Sequence, residues 1–340
     1  MQNKSLQSYL KLVLIGVVGI LILSGCGSKY YFKPDKKEVQ ETVMYDGLAP
    51  AWIGSVVRNG ATLMNGQFIT KHAEIPDIRL SRGSQYLNET EEYYIVQYKK
   101  SLALIHKETR DEIVIELESI PVSASLDGNL VAIIFDTNTI AVYDLKSDRI
   151  VYRQDNVPAP ANNTLVAAPY FLTDIIVIPT LDGKLIVVDK DTMQLVRNIV
   201  VNGDRYFNNV IFLEAIGNRM VAATPKRIIS VSPNVINTFD ANIKDILFFE
   251  DRIFIFSNEG EVILTDRDLN EMQRTKFPFA HFSATNHGRE IVVLETQGYM
   301  ISLDDSLQTS TIRRLPRAIT EPTFSAYGKI FIGNKFINIQ

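Results

Sequence analysis

The stretch DIIVIPTLDGKLIVVD, residues 174–189, contains two apolar, β-branched runs on either side of the pair Asp182-Gly183. An Asp-Gly pair between two such runs is among the strongest short-range signals of a β-hairpin, because both residues tolerate positive φ. Both runs are almost continuously apolar, which is typical of strands that are covered on both faces. The stretch therefore predicts a deeply buried hairpin.

Seven further segments repeat this form of apolar run, short turn and second apolar run. They are WIGSVVRNGATLM (52–64), YYIVQYKKSLALIH (93–106), LVAIIFDTNTIAVYD (130–144), RMVAATPKRIISVS (219–232), RIFIFSNEGEVILTD (252–266), EIVVLETQGYMISLD (290–304) and GKIFIGNKFINI (328–339). The turn centres follow one another at intervals of about 34 to 45 residues, close to the period of about 40–50 residues expected for a propeller blade.

A repeated four-stranded unit cannot bury both of its faces alone, whereas blades packed around an axis cover each other. The sequence therefore predicts an all-β fold, a β-propeller of four-stranded antiparallel blades. Eight blades are expected, with seven as the alternative, and the eight hairpins would be the second and third strands of the blades. A parallel α/β sheet would need crossover helices, and no stretch after residue 26 sustains a helical pattern.

The two ends of the chain indicate how the ring closes. The chain stops shortly after the third strand of the last predicted blade, so that blade lacks its outermost strand. The segment EVQETVMY, residues 38–45, is extended and alternating and has no adjoining hairpin partner. We expect this N-terminal segment to supply the missing strand, so that residues 38–340 form a single propeller domain.

The first 25 residues have the features of an export signal. Lys4 and Lys11 precede an apolar run over residues 12–23, and small residues follow it. A basic start, a short apolar core and small residues before a cleavage site define a secretory signal peptide. The run is shorter than the roughly 20 residues that span a bilayer. Residues 1–25 are therefore predicted to be a signal peptide.

The run Leu23-Ser24-Gly25-Cys26 resembles the lipobox of bacterial lipoproteins. The resemblance implies cleavage before Cys26, a diacylglycerol thioether on its sulfur and acylation of the new amino group. Several acyl chains together give a lasting membrane anchor. Residues 26–37 are then a lipidated tether. Gly27, where an Asp would imply retention at the inner membrane, favours an outer-membrane lipoprotein that faces the periplasm.

Charge and cysteine content exclude several classes of function. The formal net charge is −4, and removal of the signal with its two lysines leaves −6, so the body has no basic footprint for nucleic acid. Cys26 is the only cysteine. Once it is lipidated, no thiol remains for a disulfide, a metal site or a nucleophile.

Three segments resemble the blades of quinoprotein-like propeller repeats: PTLDGKLIVVDKDTMQLVR (179–197), FDTNTIAVYDLKSDRIVYR (135–153) and SNEGEVILTDRDLNEMQR (257–274). The propeller lipoproteins of the outer-membrane barrel-assembly machine are built from similar blades, so the resemblance implies a propeller that binds other envelope proteins. The full repeat ends in glycine followed by tryptophan. Here the approximate turn region holds Asp148, Asp191 and Leu269, and Trp52 is the only tryptophan.

The sequence contains no catalytic motif that we recognise. The four histidines, His72, His106, His281 and His287, have no metal-binding spacing, and nucleophile-elbow, dinucleotide-binding and phosphate-loop motifs are absent. We therefore predict no catalytic residue, no metal and no cofactor. The aspartates that end several third strands, Asp144, Asp189, Asp266 and Asp304, are expected to cap turns through the backbone, and His106 aligns with them.

Two features suggest surfaces for partners. The Pro-rich stretch 157–171 reads as an extra loop on the propeller rim, either a partner-binding loop or a harmless insertion. The aromatic pairs Tyr206-Phe207 and Phe277-Pro278-Phe279 are expected to pack between blades rather than to be exposed.

Three hypotheses for the function remain open. The first is a non-catalytic scaffold, held at the membrane through Cys26, that binds other envelope proteins, for example in outer-membrane protein assembly. The second is a periplasmic enzyme or small-ligand binder that uses the central funnel of the propeller. The third is a surface-exposed adhesin.

Overall fold

The architecture is an eight-bladed β-propeller, seen in a computed structural model that describes residues 31–160, 162–216 and 218–339. The described residues contain strands and turns and no helix, and therefore no helix long and apolar enough to cross a membrane. The all-β prediction and the count of eight blades are confirmed.

Strands that follow one another in the sequence pair antiparallel within each blade, and the N-terminal strands join blades 7 and 8. The strands up to the end of blade 4 are β1 (Val39–Thr42), β2 (Gly47–Leu48), β3 (Ile53–Val57), β4 (Gly60–Leu63), β5 (Phe68–Thr70), β6 (Glu74–Ile75), β7 (Ser84–Glu89), β8 (Tyr93–Tyr98), β9 (Ser101–His106), β10 (Glu112–Glu116), β11 (Pro121–Asp127), β12 (Leu130–Phe135), β13 (Thr139–Asp144), β14 (Arg149–Asp155), β15 (Tyr170–Phe171), β16 (Ile175–Pro179), β17 (Lys184–Asp189) and β18 (Leu195–Val200).

Blades 5 to 8 continue the same order. Their strands are β19 (Phe212–Ile216), β20 (Arg219–Ala223), β21 (Arg227–Val231), β22 (Ile236–Asp240), β23 (Ile243–Phe249), β24 (Arg252–Ser257), β25 (Glu261–Thr265), β26 (Glu271–Lys276), β27 (Phe282–His287), β28 (Ile291–Glu295), β29 (Tyr299–Leu303), β30 (Ser310–Arg314), β31 (Thr323–Ala326), β32 (Lys329–Ile332) and β33 (Lys335–Asn338).

The first strand of each blade lies innermost. Neighbouring first strands contact each other, as β3 does with β31 and β7, and β27 does with β23 and β31. Apolar clusters fill the space between blades. The cluster between blades 6 and 7, for example, joins Phe254 and Phe256 to Phe282. The strands are therefore covered on both faces, which is why their apolar residues run on without alternation.

Seven of the eight predicted hairpins are the second and third strands of blades, but the first is not. Residues 52–64 form β3 and β4, the first and second strands of blade 1, and the next turn of that blade lies around Gly66, whose φ is +87°. The hairpin prediction was wrong because Gly60 is required for close packing of its neighbours and not for a positive φ. A Cβ there would lie 2.3 Å from the ring of Tyr86 and 2.7 Å from the carbonyl oxygen of Ile69.

An N-terminal strand closes the ring, as predicted, but the strand is a different one. β2 pairs antiparallel with β33 and completes blade 8, through hydrogen bonds that include Asp46 N to Phe336 O at 3.0 Å and Ala49 N to Asn334 O at 2.8 Å. The segment 38–45 was wrongly assigned to this place. Its strand β1 instead adds in parallel to β30, as a fifth strand of blade 7.

Residues just before β1 also pack on the propeller. Phe32, inside the predicted tether, is buried in the cluster of blades 6 and 7, edge-on to the rings of Phe277 and Tyr299 at centroid distances of 6.1 and 5.4 Å. The chain therefore enters the fold at this blade pair. The predicted boundaries at residues 25 and 37 stay predictions.

Substitution of Gly60 tests whether the blade 1–blade 2 contact depends on the missing side chain. We expect Gly60→Ala to lower the free energy of unfolding by about 2–3 kcal/mol, because the added methyl group meets a buried ring and a backbone oxygen. The control is Gly203→Ala, where nothing lies within 4 Å of the new Cβ and the effect should be within about 0.5 kcal/mol. Chemical denaturation measures both. Equal stabilities of the two variants would contradict the steric explanation.

Candidate functional site

Two cavities of about 680 and 750 Å³ fill the channel between the innermost strands. Cavity 1 is lined by the inner strands of blades 1, 5, 6, 7 and 8, and cavity 2 by those of blades 1 to 5. Among the residues that the structure describes, four line both cavities, namely Arg58, Lys71, Phe212 and Glu214. They come from blades 1 and 5, which stand opposite each other in an eight-membered ring. Side chains of these blades therefore separate the channel into two compartments.

An ion pair anchors this partition. Arg58, in the turn after β3, places Nη1 2.7 Å from Oδ1 of Asp245 on β23, and its guanidinium lies 4.8 Å from the ring centre of Phe212. The other carboxylate oxygen of Asp245 accepts a hydrogen bond from the Thr285 hydroxyl at 2.8 Å. Burial alone would raise the pKa of Asp245, but the charge and hydrogen bond of Arg58, with that hydroxyl, hold it below its ordinary value.

Lys71 approaches the same place from the loop between β5 and β6. Its Nζ lies 3.6 Å from Oε1 of Glu214 on β19. Burial and the nearby charge of Arg58 lower the pKa of Lys71, and the carboxylates of Glu214 and Asp245 only partly offset this effect. The charged form of Lys71 is therefore less favourable in the folded chain than in the unfolded chain.

The two compartments differ in charge. Cavity 1 is lined by three cations, Arg58, Lys71 and Lys244, and by two carboxylates, those of Asp245 and Glu214. The side-chain amine of Lys244 has no hydrogen-bond or ion-pair partner within the described part of the chain.

Cavity 2 has the opposite balance, because its lining carboxylates outnumber its cations. The carboxylates are those of Glu89, Glu91, Asp127 and Glu214. Two of them have lysine partners outside the lining, at 2.6 Å in each case: Lys107 for Glu89 and Lys190 for Asp127.

The aspartates predicted to cap turns do so. Asp189 accepts backbone N–H bonds from Asp191 and Thr192 at 3.1 and 2.8 Å, and Asp144 and Asp266 make equivalent bonds. Burial opposes ionisation of Asp304, yet hydrogen bonds from Ser306 and Thr309 lower its pKa to about 2. These carboxylates are thus satisfied by their own turns and lie away from the channel.

His106 has the same role in blade 2, as its alignment predicted. Its Nδ1 accepts the N–H groups of Glu108 and Thr109 at 3.3 and 3.2 Å. Of the three residues in the turn region where the repeat has glycine, Asp148 and Leu269 have positive φ. In blade 4, however, the residue with positive φ is Met193 rather than Asp191.

The remaining histidines do not converge. His287 stacks on Phe249 at a centroid distance of 3.9 Å and lies 3.3 Å from Asp305, while His72 is in the blade 1 loop and His281 precedes β27. Over residues 31–160, 162–216 and 218–339, no three His, Cys, Asp or Glu side chains are grouped to hold a metal. Cys26 lies outside the described residues.

The Pro-rich stretch 157–171 is not simply a rim loop. Its second half turns inward, where Asn163, Thr164 and Leu165 line cavity 1. The fully buried Asn209 fixes this course, because its Oδ1 accepts the Asn163 N–H at 2.7 Å and its Nδ2 donates to the Leu165 carbonyl at 3.1 Å. The insertion therefore forms part of the wall of the channel.

The two aromatic stretches have different environments. Phe277 is buried between blades as predicted, but Phe279 is exposed. Tyr206 and Phe207 are 52% and 56% exposed, so their predicted burial is wrong. The loop that carries them is folded against the turn between β16 and β17, where Asn208 donates to the carbonyl oxygens of Asp182 and Asn202.

Blade 4 has an exposed apolar surface beside this loop. Its outermost strand β18 pairs with β17 on one edge and with no described strand on the other, and Leu195, Val196 and Val200 are 52–59% exposed. We call these three residues, together with Tyr206 and Phe207 of the loop that follows β18 in the chain, the blade 4 surface. Arg197 is the only charged residue in β18. Exposed apolar groups beside an open strand edge are typical of a site for protein association.

The chain is similar in sequence to proteins of known name over most of its length. No protein-family model matches the chain. It is 29% identical to the plasminogen-binding protein PgbB of Helicobacter pylori strain J99 and 28% identical to PgbB of strain 26695. Both alignments cover 86% of this chain and 62% of the relative, so the chain spans under two thirds of the length of these relatives.

Solved structures with this fold have much lower sequence identity. BamB from Moraxella catarrhalis superimposes with a TM-score of 0.62 at 14% identity, over 85% of this chain and 95% of BamB. The C-terminal WD40 domain of Sif2 gives a TM-score of 0.63 at 12% identity, over 88% of this chain and all of that domain. At these identities the likeness shows the propeller fold alone.

Sequence reasoning missed the residues at the axis. Arg58 and Asp245 are 187 positions apart, and only ring closure brings them together. A local signal was present, because Lys244 and Asp245 interrupt an otherwise apolar stretch before the blade 6 hairpin. Adjacent charges in an innermost strand indicate side chains that face a channel.

The lowered pKa of Lys71 predicts a pH-dependent stability. As pH rises through the folded pKa of Lys71 towards 10.5, the unfolded chain binds more protons at this site than the folded chain, so the wild type gains stability. We expect Lys71→Met to be more stable than wild type at neutral pH and to lack this gain.

Denaturant midpoints measured from neutral pH to above 10.5 test this prediction. The control is Lys226→Met, which removes an exposed lysine outside both cavities. Glu214→Gln should instead destabilise, since Glu214 favours the charged amine. A Lys71→Met midpoint below that of wild type at neutral pH would show that the carboxylates outweigh burial.

Proposed function

We propose that the chain is a non-catalytic, membrane-anchored propeller that binds another protein, and that this partner is plasminogen. The observation that carries the proposal is the similarity of 86% of the chain to proteins named for plasminogen binding. A propeller suits this role, because its rigid ring of blades displays strand edges and loops without needing any catalytic group.

The blade 4 surface is the region we propose for contact with the partner. It combines an unpaired strand edge with apolar and aromatic side chains that are more than half exposed. Tyr and Phe are enriched at the centres of protein interfaces, where they supply large contact areas. An extended segment of the partner can also pair with the edge of β18, as β1 pairs with the edge of β30.

Because the chain covers only part of its relatives, the proposal specifies which part of PgbB binds plasminogen. The chain aligns with 62% of PgbB, so plasminogen binding in the relative resides either in the matching part or in the remainder. Our proposal assigns it to the propeller. Assembly of outer-membrane proteins is the second possibility from the sequence, but it is supported only by likeness of fold to BamB.

Binding of plasminogen to the purified full chain, measured by surface plasmon resonance in detergent, tests this assignment. We expect Val196→Glu to weaken binding by at least about tenfold, because it puts an unpaired charge into the proposed interface. Met272→Glu is the matched control. Met272 is equally exposed, at 59%, on the outermost strand of blade 6.

The outcomes separate the possible partners. Equal loss of binding in both variants would place the contact elsewhere on the propeller. No binding by the wild-type chain would overturn the assignment of plasminogen. Crosslinking in intact envelopes would then reveal whether a barrel-assembly protein is recovered instead.

We further propose that Cys26 carries the lipid anchor and that the propeller lies at the outer membrane. The lipobox-like run before Cys26 supports this. Six residue steps separate Cys26 from the buried Phe32, a reach of at most about 20 Å, so a lipid on Cys26 would hold the pair of blades 6 and 7 near the membrane. Blade 4 is more than a quarter-turn further around the ring and is left accessible to a partner.

Substitution of Cys26 tests the anchor, and protease treatment of intact cells tests which side of the membrane the propeller faces. Cys26→Ala should abolish incorporation of labelled palmitate and release the protein from the membrane fraction. Gly27→Ala, next to the modified residue, should preserve both. Digestion on intact cells is expected for a plasminogen-binding protein, and protection from digestion indicates the periplasmic location. Membrane retention of Cys26→Ala would disprove the lipid anchor.

A further inference from the structure

We propose that cavity 1 of the axial channel binds a small organic acid, whose carboxylate is held by Lys244 and Lys71 and whose apolar body packs on the aromatic side chains of blades 5 and 6. This inference concerns a small molecule and is separate from the binding of a partner protein.

The charges at the cavity favour an anion. Arg58 is paired with Asp245 at 2.7 Å, and that carboxylate also receives the Thr285 hydroxyl, so this ion pair is satisfied within the protein. Lys71 has only the longer contact of 3.6 Å to Glu214, and Lys244 has no partner among the described residues. The lining therefore carries one uncompensated positive charge, on an amine that can donate three hydrogen bonds.

The remaining walls are suited to an apolar body. Phe212 and Phe248 pack edge-on at a centroid distance of 4.8 Å, and Leu247 and Phe324 continue the apolar wall. A cavity of about 680 Å³ has the size of a small-molecule site, and the apolar side chains among its lining residues can contact a hydrocarbon or aromatic group. A monoanion with a short hydrocarbon or aromatic part matches both features.

Cavity 2 provides an internal comparison. It has a similar volume and shares Arg58, Lys71 and Glu214, but its other charged lining groups are the carboxylates of Glu89, Glu91 and Asp127. Lys107 and Lys190 pair with Glu89 and Asp127. The carboxylate that would repel an anion in cavity 2 is therefore that of Glu91, whereas the lining of cavity 1 includes the amine of Lys244. The difference assigns the anion to cavity 1 and not to the channel as a whole.

Isothermal titration of the full chain with 4-phenylbutyrate, the uncharged 4-phenylbutyramide and benzoate tests the proposal. We expect the acids to bind and the amide to bind at least about tenfold more weakly, since it lacks the charge-assisted hydrogen bonds. Lys244→Gln should lower the affinity for the acids by a similar factor, and Lys244→Arg should restore most of it. Lys226→Gln, which removes an exposed lysine outside both cavities, should have no effect.

A second measurement reports on Lys71 itself. Reductive ¹³C-methylation of the lysines allows their titration by NMR, and bound 4-phenylbutyrate should move the Lys71 midpoint to higher pH, because a nearby anion stabilises the charged amine. The proposal is overturned if none of the acids binds, if the amide binds as well as the acid, or if Lys244→Gln leaves the affinity unchanged. None of these outcomes bears on plasminogen binding, which is measured without the acid.

Discussion

The fold depends on covering both faces of every four-stranded sheet at once. Fully buried strands such as β12, β16 and β24 have apolar residues directed to both sides, and a single blade leaves them in water. Only a closed ring gives each blade two neighbours, and the ring is closed where Gly47 and Leu48 pair with β33, flanked by the backbone hydrogen bonds that Asp46 and Ala49 donate. The pairing of β1 with β30 is a second contact between the N-terminal segment and the C-terminal part of the chain, and it lies in blade 7, one blade before β33.

The repeat was predictable from sequence because its signals are local. Asp182-Gly183 and Gln297-Gly298 lie in turns between strands that the apolar runs define, and Gly183 and Gly298 have φ near +82° and +89°. The prediction from Asn59-Gly60 was wrong because, in a sequence, a glycine required for close packing cannot be told from one required for positive φ. The position of β2 was not predicted because a strand of two residues has no sequence pattern. Only the unpaired edge of β33 determines where these two residues pair.

The axial site was not predictable for a different reason. Closure of the ring brings the ends of eight inner strands to one axis, and it is there that Arg58 of blade 1 meets Asp245 of blade 6 and Lys71 meets Glu214 of blade 5. No pair of these residues is near in sequence. The Asp residues that recur in the repeat accept hydrogen bonds from their own turns instead. The polar positions that recur from blade to blade therefore contribute to folding, whereas polar residues outside the repeat pattern line the channel.

The two proposed binding regions share a residue. Phe207 belongs to the exposed blade 4 surface and also lines cavity 1, and the neighbouring Asn208 and Asn209 fix this loop on blade 4 and on the 157–171 stretch, respectively. A partner that covers Phe207 therefore covers part of the wall of cavity 1. Any change that one bound ligand makes in the affinity for the other must be reciprocal, because a coupling free energy between two sites is the same in both directions. Among the described residues, the loop 201–209 is the segment that contributes to both regions, so it is where a contact between the two ligands would be made.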